Sequence, residues 1–460
     1  MKKNIRAVFG GDFRQFAMIF AMIAIALFFQ ITTHGKVFKA QNLMNLVMSN
    51  AYILVLAMGM VLVIIAGSID LSVGSVAAVV GIVVAIATTN HGLNPWLGIL
   101  LGLAVGLLIG AWQGFWVGYW GIPAFVVTLA GMMLFRGTNQ AIGNSMSIPV
   151  PKLYTTLGAG YIPDFGPFNF SAGTMILAIV AAAAFTWREL RKRQLQSELE
   201  ADMPPMWVTL VRIVVVDVII LAIMWIFATG RPGTSFPIPG IIAAVLALVY
   251  SFVSNRTVIG RSVYAVGGNR AAAELTGVKV KKTNFFIMIN MAFLAAIAGI
   301  LFIGRATSSG PADGTAWEMD AISSVFIGGA AVAGGVGTIM GTMVGALVIA
   351  FLNNGLQLMG VGADWTQIIK GLVLLLAVAV DVYSKRQGKR SVIGMFQQAR
   401  RNQKEILATE KAVASGAVDK AAASVTNLAE EGAEAVVEGS DGRTRPPSSP
   451  QIPGGTHQQE

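Results

Sequence analysis

Two groups of residues in this chain have the types and spacing to act on a partner or a solute. The first is a basic, Gly-punctuated insert between apolar runs, Asn255–Thr283, reading NRTVIGRSVYAVGGNRAAAELTGVKVKKT. Its centre, Arg270 to Thr276, is Ala-rich and predicts one to two helical turns stopped by Gly277, since Gly tolerates the left-handed backbone that closes helices. The insert carries no Gly-Lys-Ser/Thr phosphate-binding signature. It is therefore read as an ordered docking element that receives force from a separate nucleotide-hydrolysing partner. The second group is polar residues in or beside apolar runs. Asn353 and Gln357 stand one helical turn apart on a shared face, with Asn354 beside them; Asn50, Thr128 and Asn290 add similar groups. Such amides usually pack against neighbouring helices. The other reading is a weakly polar path for a neutral, hydroxyl-rich solute. In Gly67-Ser-Ile-Asp-Leu-Ser-Val-Gly-Ser75, either Ser68 or Asp70 can cap the next helix, and Asp70 reads first as this cap and second as a pathway residue. Asp320 reads the same way.

Other chemistry is poorly provided for. There is no Ser/His/Asp set, no His-Glu-x-x-His, no paired catalytic carboxylates and no chain of intramembrane acids for proton relay. Cysteine is absent, which excludes disulfides and thiol chemistry. His34, His91 and His457 are far apart and outside the long apolar runs. No catalytic residue, metal site or cofactor is expected on this chain.

These residues must be positioned by membrane helices. The chain has 460 residues, 55% hydrophobic and only 12% charged, where soluble domains carry about a quarter charged. Repeated apolar runs of roughly 20 residues predict an all-α, polytopic transmembrane bundle of about 10–12 spans. The runs fall near 15–32, 43–66, 71–90, 95–119, 122–142, 172–187, 207–229, 236–254, 284–304, 320–334, 337–358 and 364–384. Runs 71–90 and 320–334 are rich in Gly, Ala and Ser, and are read as spans that a break or re-entry could interrupt. Basic clusters at Arg188, Arg191, Lys192 and Arg193, across 255–283, and at Lys385, Arg386, Lys389 and Arg390 put these segments, and both termini, in the cytoplasm. The formal charge of +10 is thus a matter of orientation rather than of nucleic-acid binding. Lys2, Lys3, Arg6 and Arg14 before Phe16–Ile31 resemble a signal peptide, but without a small-residue cleavage site the run is expected to remain as the first span. The expected organisation is a cytoplasmic N-terminus (1–14), a membrane domain (15–384) holding the loop 255–283, and a cytoplasmic tail (385–460), partly helical and then disordered.

Gly98-x3-Gly102-x3-Gly106 recurs as Gly337-x3-Gly341-x3-Gly345. Each stripe is followed at the same offset by a turn glycine, Gly121 or Gly360, and preceded by an Asp near a Ser/Gly/Ala-rich segment. With one copy running inward and the other outward, this predicts an inverted internal repeat. Small-x3-small packing alone is the competing explanation.

The stretches AGSIDLSVGS (66–75), PAFVVTLAGMMLFRG (123–137), GRSVYAVGGNRAAAELTGV (260–278), DAISSVFIGGAAVAGGVGTIMGT (320–342) and ALVIAFLNNGLQLMGV (346–361) resemble permease subunits of bacterial monosaccharide ABC importers, the ribose/arabinose/xylose branch. The resemblance covers most of 43–384. It implies a permease working as a homodimer in the inner membrane, with a cytoplasmic ABC ATPase that carries ATP and Mg, and a periplasmic sugar-binding protein. It implies that Gly267, Gly268, Asn269, Arg270, Glu274, Leu275 and Gly277 form the helix that couples to the ATPase. The run from Arg270 to Gly277 departs from the EAA pattern of other ABC permeases: it lacks the leading Glu, and its Gly comes one position later. The segment 172–235 is an insertion relative to ribose-type members that xylose-type and multiple-sugar permeases share; the tail beyond 390 is outside the pattern.

Bulky replacements at Gly268 or Glu274 are expected to uncouple transport and spare insertion. Asn50, Ser68, Asp70, Asn290, Asn353, Asn354 and Gln357 are the candidate pathway residues. The competing function is an ion-coupled secondary transporter of a small neutral solute, with Asp70 and Asp320 as its coupling acids. A membrane enzyme and a channel are further rivals.

Overall fold

The computed structural model describes residues 13–165, 168–198, 205–230 and 234–386. The tail expected at 385–460 lies outside them except for its first two residues, and the expected N-terminal segment lies outside them up to residue 12. The helices are α1 (Phe13–Thr32), α2 (Ala40–Ile65), α3 (Val73–Ala85), α4 (Pro95–Gly118), α5 (Ala124–Ile142), α6 (Lys152–Ala159), α7 (Ala172–Glu198), α8 (Met206–Ala228), α9 (Ile238–Arg256), α10 (Val258–Gly268), α11 (Arg270–Leu275), α12 (Val280–Ala306), α13 (Trp317–Ile327), α14 (Ile339–Leu358) and α15 (Ala363–Arg386). A two-residue ladder pairs β1 (Ile148–Pro149) with β2 (Ser308–Ser309), antiparallel. Among the described residues, eight helices are long and apolar enough to cross a membrane.

The two Gly/Ala/Ser-rich runs resolve differently. Run 71–90 is one continuous helix, α3 extended by a π-helical turn over Ile86–Asn90. Run 320–334 is broken: α13 has 11 residues, about 16 Å at 1.5 Å per residue, and an irregular stretch follows to Thr338. Both turn glycines of the suspected repeat are left-handed, Gly121 at φ 74° and Gly360 at φ 73°.

α2 and α12 form the centre. Every residue of α2 from Ile53 to Ile65 is buried. α4 lies beside α12 with its polarity reversed relative to a water-soluble helix. It buries Gly98, Gly102, Gly106, Gly110 and Gly114 and exposes Trp96, Leu97, Leu100, Leu108 and Phe115. In lipid, large apolar side chains gain little by turning inward, whereas small residues let backbones meet. A Cβ at Gly110 would stand 2.7 Å from the Ile289 Cα, so α4 rests on the main chain of α12.

α7 and α8 pair along their lengths. Thr186 donates to Asp217 (2.7 Å), Arg193 donates to Thr209 (3.0 Å), and Arg212 faces Glu189 (3.5 Å). The basic cluster Arg188–Arg193, expected in a loop, is instead helical, because α7 continues to Glu198 and its inward face finds these partners.

Candidate functional site

The short helix of the insert is built by its ends. Asn269 is extended (φ −158°), and its side-chain oxygen accepts from the Ala272 N–H at 3.0 Å, satisfying one of the free N–H groups of the first turn. Gly277, at φ 86°, closes α11, with its N–H donating to Glu274 and that of Val278 to Ala273. Arg270 and Glu274 lie 3.6 Å apart on the exposed side, and Leu275 is 90% exposed. Asn269→Ala should cost α11 about 1 kcal/mol. Amide exchange over residues 270–275 should quicken while that of α10 stays unchanged; equal exchange in both proteins would show that the cap does not hold the helix.

α11 stands on a junction of main chains. Gly267, at the end of α10, presses on the Ile65 carbonyl at the end of α2, and a Cβ there would overlap that oxygen. The same carbonyl accepts from Gly335 N–H at 2.8 Å. Tyr264 of α10 donates to the Gly337 carbonyl at 2.7 Å. The end of α2, the α10–α11 unit and the irregular stretch after α13 therefore meet without intervening side chains at their closest points. Gly268 differs from Gly267: nothing lies within 4 Å of where its Cβ would be. Beside the junction is a cavity of about 530 Å³ whose lining includes Ser68, Ile69, Ile122, Phe125, Arg270 and Asn284.

Asp70 is not an N-cap, contrary to the first reading. Its carboxylate accepts from Ser72 N–H (2.8 Å) and Ser72 Oγ (2.7 Å), and Gln113 Nε2 of α4 donates to the same Oγ at 2.7 Å. It thus organises the turn into α3 and ties that turn to α4. Asp320 is not a cap either. It lies inside α13, whose N-cap position is Ala316 in the left-handed region. Its carboxylate takes both Lys370 contacts, at 2.7 and 3.0 Å, across to α15.

The candidate pathway residues separate. Asn353 of α14 donates to Asn50 Oδ1 of α2 at 3.4 Å and also faces Asp320, so Asn50, Asn353, Asp320 and Lys370 form one polar row. Asn354 belongs elsewhere, in a reciprocal amide pair with Asn42 at 2.9 and 2.8 Å. Asn290 accepts from Tyr250 OH at 2.6 Å, between α12 and α9. Gln357 is exposed and does not share the site of Asn353, because one turn of rotation at the rim of α14 carries it off the packed face. Ser68 and Asp70 lie at the far end of α2. The row's second charge, Lys370, was missed, although a lone cation in the apolar run of α15 was legible; Gln113, Asn42 and Tyr250 had no comparable signal. Asn42→Ala strands the Asn354 amide in a part-buried place and should cost about 1–3 kcal/mol. The double replacement by Leu should recover most of the loss in thermal melts of solubilised protein; a double variant less stable than the single would refute the pair.

On the face opposite α11, Asn139 donates to the Gly310 carbonyl at 3.1 Å and Asp313 accepts from Gly310 N–H at 2.8 Å, fixing the loop that leads into α13. Burial pushes the Asp313 carboxyl above its ordinary range, and the Gly310 hydrogen bond offsets part of this.

A polytopic helical bundle with an amide-bearing interior and a short exposed helix on one face is the build of a membrane permease. Residues 42–194 and 204–378 match the family described as the branched-chain amino acid transport system permease component, and the chain belongs to that family. It is 38% identical over 373 residues to the xylose transport system permease protein XylH of Escherichia coli (strain K12), covering 81% of this chain and 92% of that protein. It is 36% identical to the XylH protein of Haemophilus influenzae, covering 81% and 97%. To the ribose import permease protein RbsC of Escherichia coli (strain K12) it is 31% identical over 363 residues, covering 78% and 92%. No solved structure matches the chain.

Proposed function

We propose that this chain is the membrane permease of an ATP-driven monosaccharide importer of the xylose type. The observation that carries the reading is the likeness to xylose permeases over nearly their whole length. The chain works as a homodimer in a bacterial inner membrane, with α11 and both termini in the cytoplasm. A cytoplasmic ABC ATPase binds ATP and Mg and closes on α11; a periplasmic sugar-binding protein delivers the solute to the opposite face. Force enters at Gly267 and passes to α2 and to the stretch after α13. The polar row of Asn50 and Asn353 supplies weak hydrogen bonds to a passing hydroxylated solute, so selectivity rests with the binding protein. The exposed residues Arg270, Glu274 and Leu275 are the contacts with the ATPase.

The test is reconstitution of the chain with its ATPase and binding protein in liposomes. Uptake of labelled xylose, ribose and arabinose is measured with internal ATP and, separately, with an ion gradient alone. ATP-dependent uptake favouring xylose supports the reading. Uptake driven by the gradient without ATP would sink it in favour of ion-coupled transport. Because the chain has no cysteine, Leu275→Cys places a single thiol on α11, and its cross-link to the ATPase reads the docking directly.

A further inference from the structure

Lys370 is a cation that the reading above leaves without a task. It sits two turns into α15, a helix otherwise apolar from Gly371 to Val380. α15 is the outlier of the bundle, because none of its residues whose burial is described is fully buried. Ile369, Val373, Leu374 and Val378 rest against core clusters without entering them. Lys370 reaches across to Asp320, and both members of the pair are largely withdrawn from solvent, with side chains 17% and 6% exposed. A charge so placed is kept only where it is paired or used.

The partner explains the use. Asp320 lies on α13, which is held at two ends by different means. Beyond its C-terminal end, the irregular stretch that follows is tied to the α11 junction through Gly335 N–H on Ile65 and the Gly337 carbonyl on Tyr264. Near its N-terminal end, Trp317 packs against Tyr52 and Phe302, and Asp320 adds the one charged tie, to Lys370. Movement at the junction can tilt a short, stiff rod only if its other end is pivoted. An apolar contact to α15 would let that end slide, whereas a two-contact ion pair fixes a point.

We propose that Lys370 is a positioning residue for solute passage, the pivot that fixes the outer end of the half-length helix α13 through Asp320. This rests on the permease reading, and it requires the charge itself. A pair that merely neutralised two buried groups would be replaceable by two neutral side chains.

The experiment compares wild type, Lys370→Met, Lys370→Arg and the neutral pair Asp320→Asn/Lys370→Met in the reconstituted transporter. It measures membrane yield, maximal uptake and the KM for solute. Lys370→Met is expected to lower maximal uptake at least about tenfold with KM changed less than about twofold, a split that follows from slowed movement rather than lost solute contacts. The neutral pair should restore membrane yield and stay about tenfold slow, and Lys370→Arg should keep about half of the wild-type maximum. Wild-type uptake by the neutral pair would overturn the proposal, as would wild-type uptake by Lys370→Met. If neither neutral variant reaches the membrane, Lys370→Arg decides: retained uptake supports the pivot and lost uptake overturns it. Absence of ATP-driven uptake by the wild type would fail the importer reading instead, and the same variants would then be compared on whatever solute flux the wild type carries.

Discussion

Gly267→Ala is expected to lower solute uptake at least about tenfold, while Gly268→Ala leaves it within about twofold. The two positions are adjacent and the added group is one methyl. At Gly267 the methyl would overlap the Ile65 carbonyl, main-chain atoms that cannot rotate aside. α10 must then lift from α2, and the Gly335 hydrogen bond to the same oxygen is disturbed with it. At Gly268 the methyl meets open space. Inserting bulk against a fixed backbone costs about 1–3 kcal/mol or more, and here the distortion falls on the joint through which movement would pass. Uptake and ATP hydrolysis by the assembled transporter are the measurements. Equal activity of the two variants would sink the junction as a force path. A large residue at Gly268 is the complementary case: Gly268→Trp should leave the fold intact and block whatever docks on that open side.

The second large effect is expected at Gly345. A Cβ there would overlap the Ser324 carbonyl of α13, and one at Gly341 would overlap the Gly328 carbonyl. α13 is therefore seated on α14 by main-chain contact. Gly345→Leu should push α13 off its seat and cost about 3 kcal/mol or more, beyond ordinary overpacking because backbone rather than side chain is struck. Loss of nearly all uptake together with a lower melting temperature is the expected result. A variant that melts like wild type would show that α13 has room to shift, contrary to this seating.

Much of the fold was legible because lipid imposes simple rules. Apolar runs of span length had to be helices, and the turn glycines Gly121 and Gly360 did take left-handed backbone. α11 was legible to within a residue because the Ala run and Gly277 signal a short helix, while the Asn269 cap emerged only with the structure. What was lost depends on distance in sequence. Asn353 and Gln357 share a helical face, yet only the first meets a neighbour, since the boundary of packing is set by other helices. Asp70 and Asp320 looked alike because each precedes or begins a small-residue segment. Their partners, Ser72 with Gln113 in one case and Lys370 in the other, come from chain order that no local pattern reveals. α10 was passed over as loop because its amphipathic stripe, with Val263 and Val266 inward, spans only 11 residues.

The reversed polarity of α4 divides the freedom of its sequence in two. Its outward leucines and tryptophans answer only to the solvent around them, so any residue that suits that solvent will serve. Its glycines answer to neighbouring chain instead: Gly106, Gly110, Gly114 and Gly118 to α12, Gly102 to α3 and α12, and Gly98 to Tyr154 and Thr88. Recoding Leu97, Leu100, Leu108 and Phe115 to charged residues, with the like done on the outward face of α8, would therefore redesign the solvent rather than the fold. A version of this bundle that dissolves in water without detergent is, in this sense, already separated from the part of the sequence that makes it a bundle.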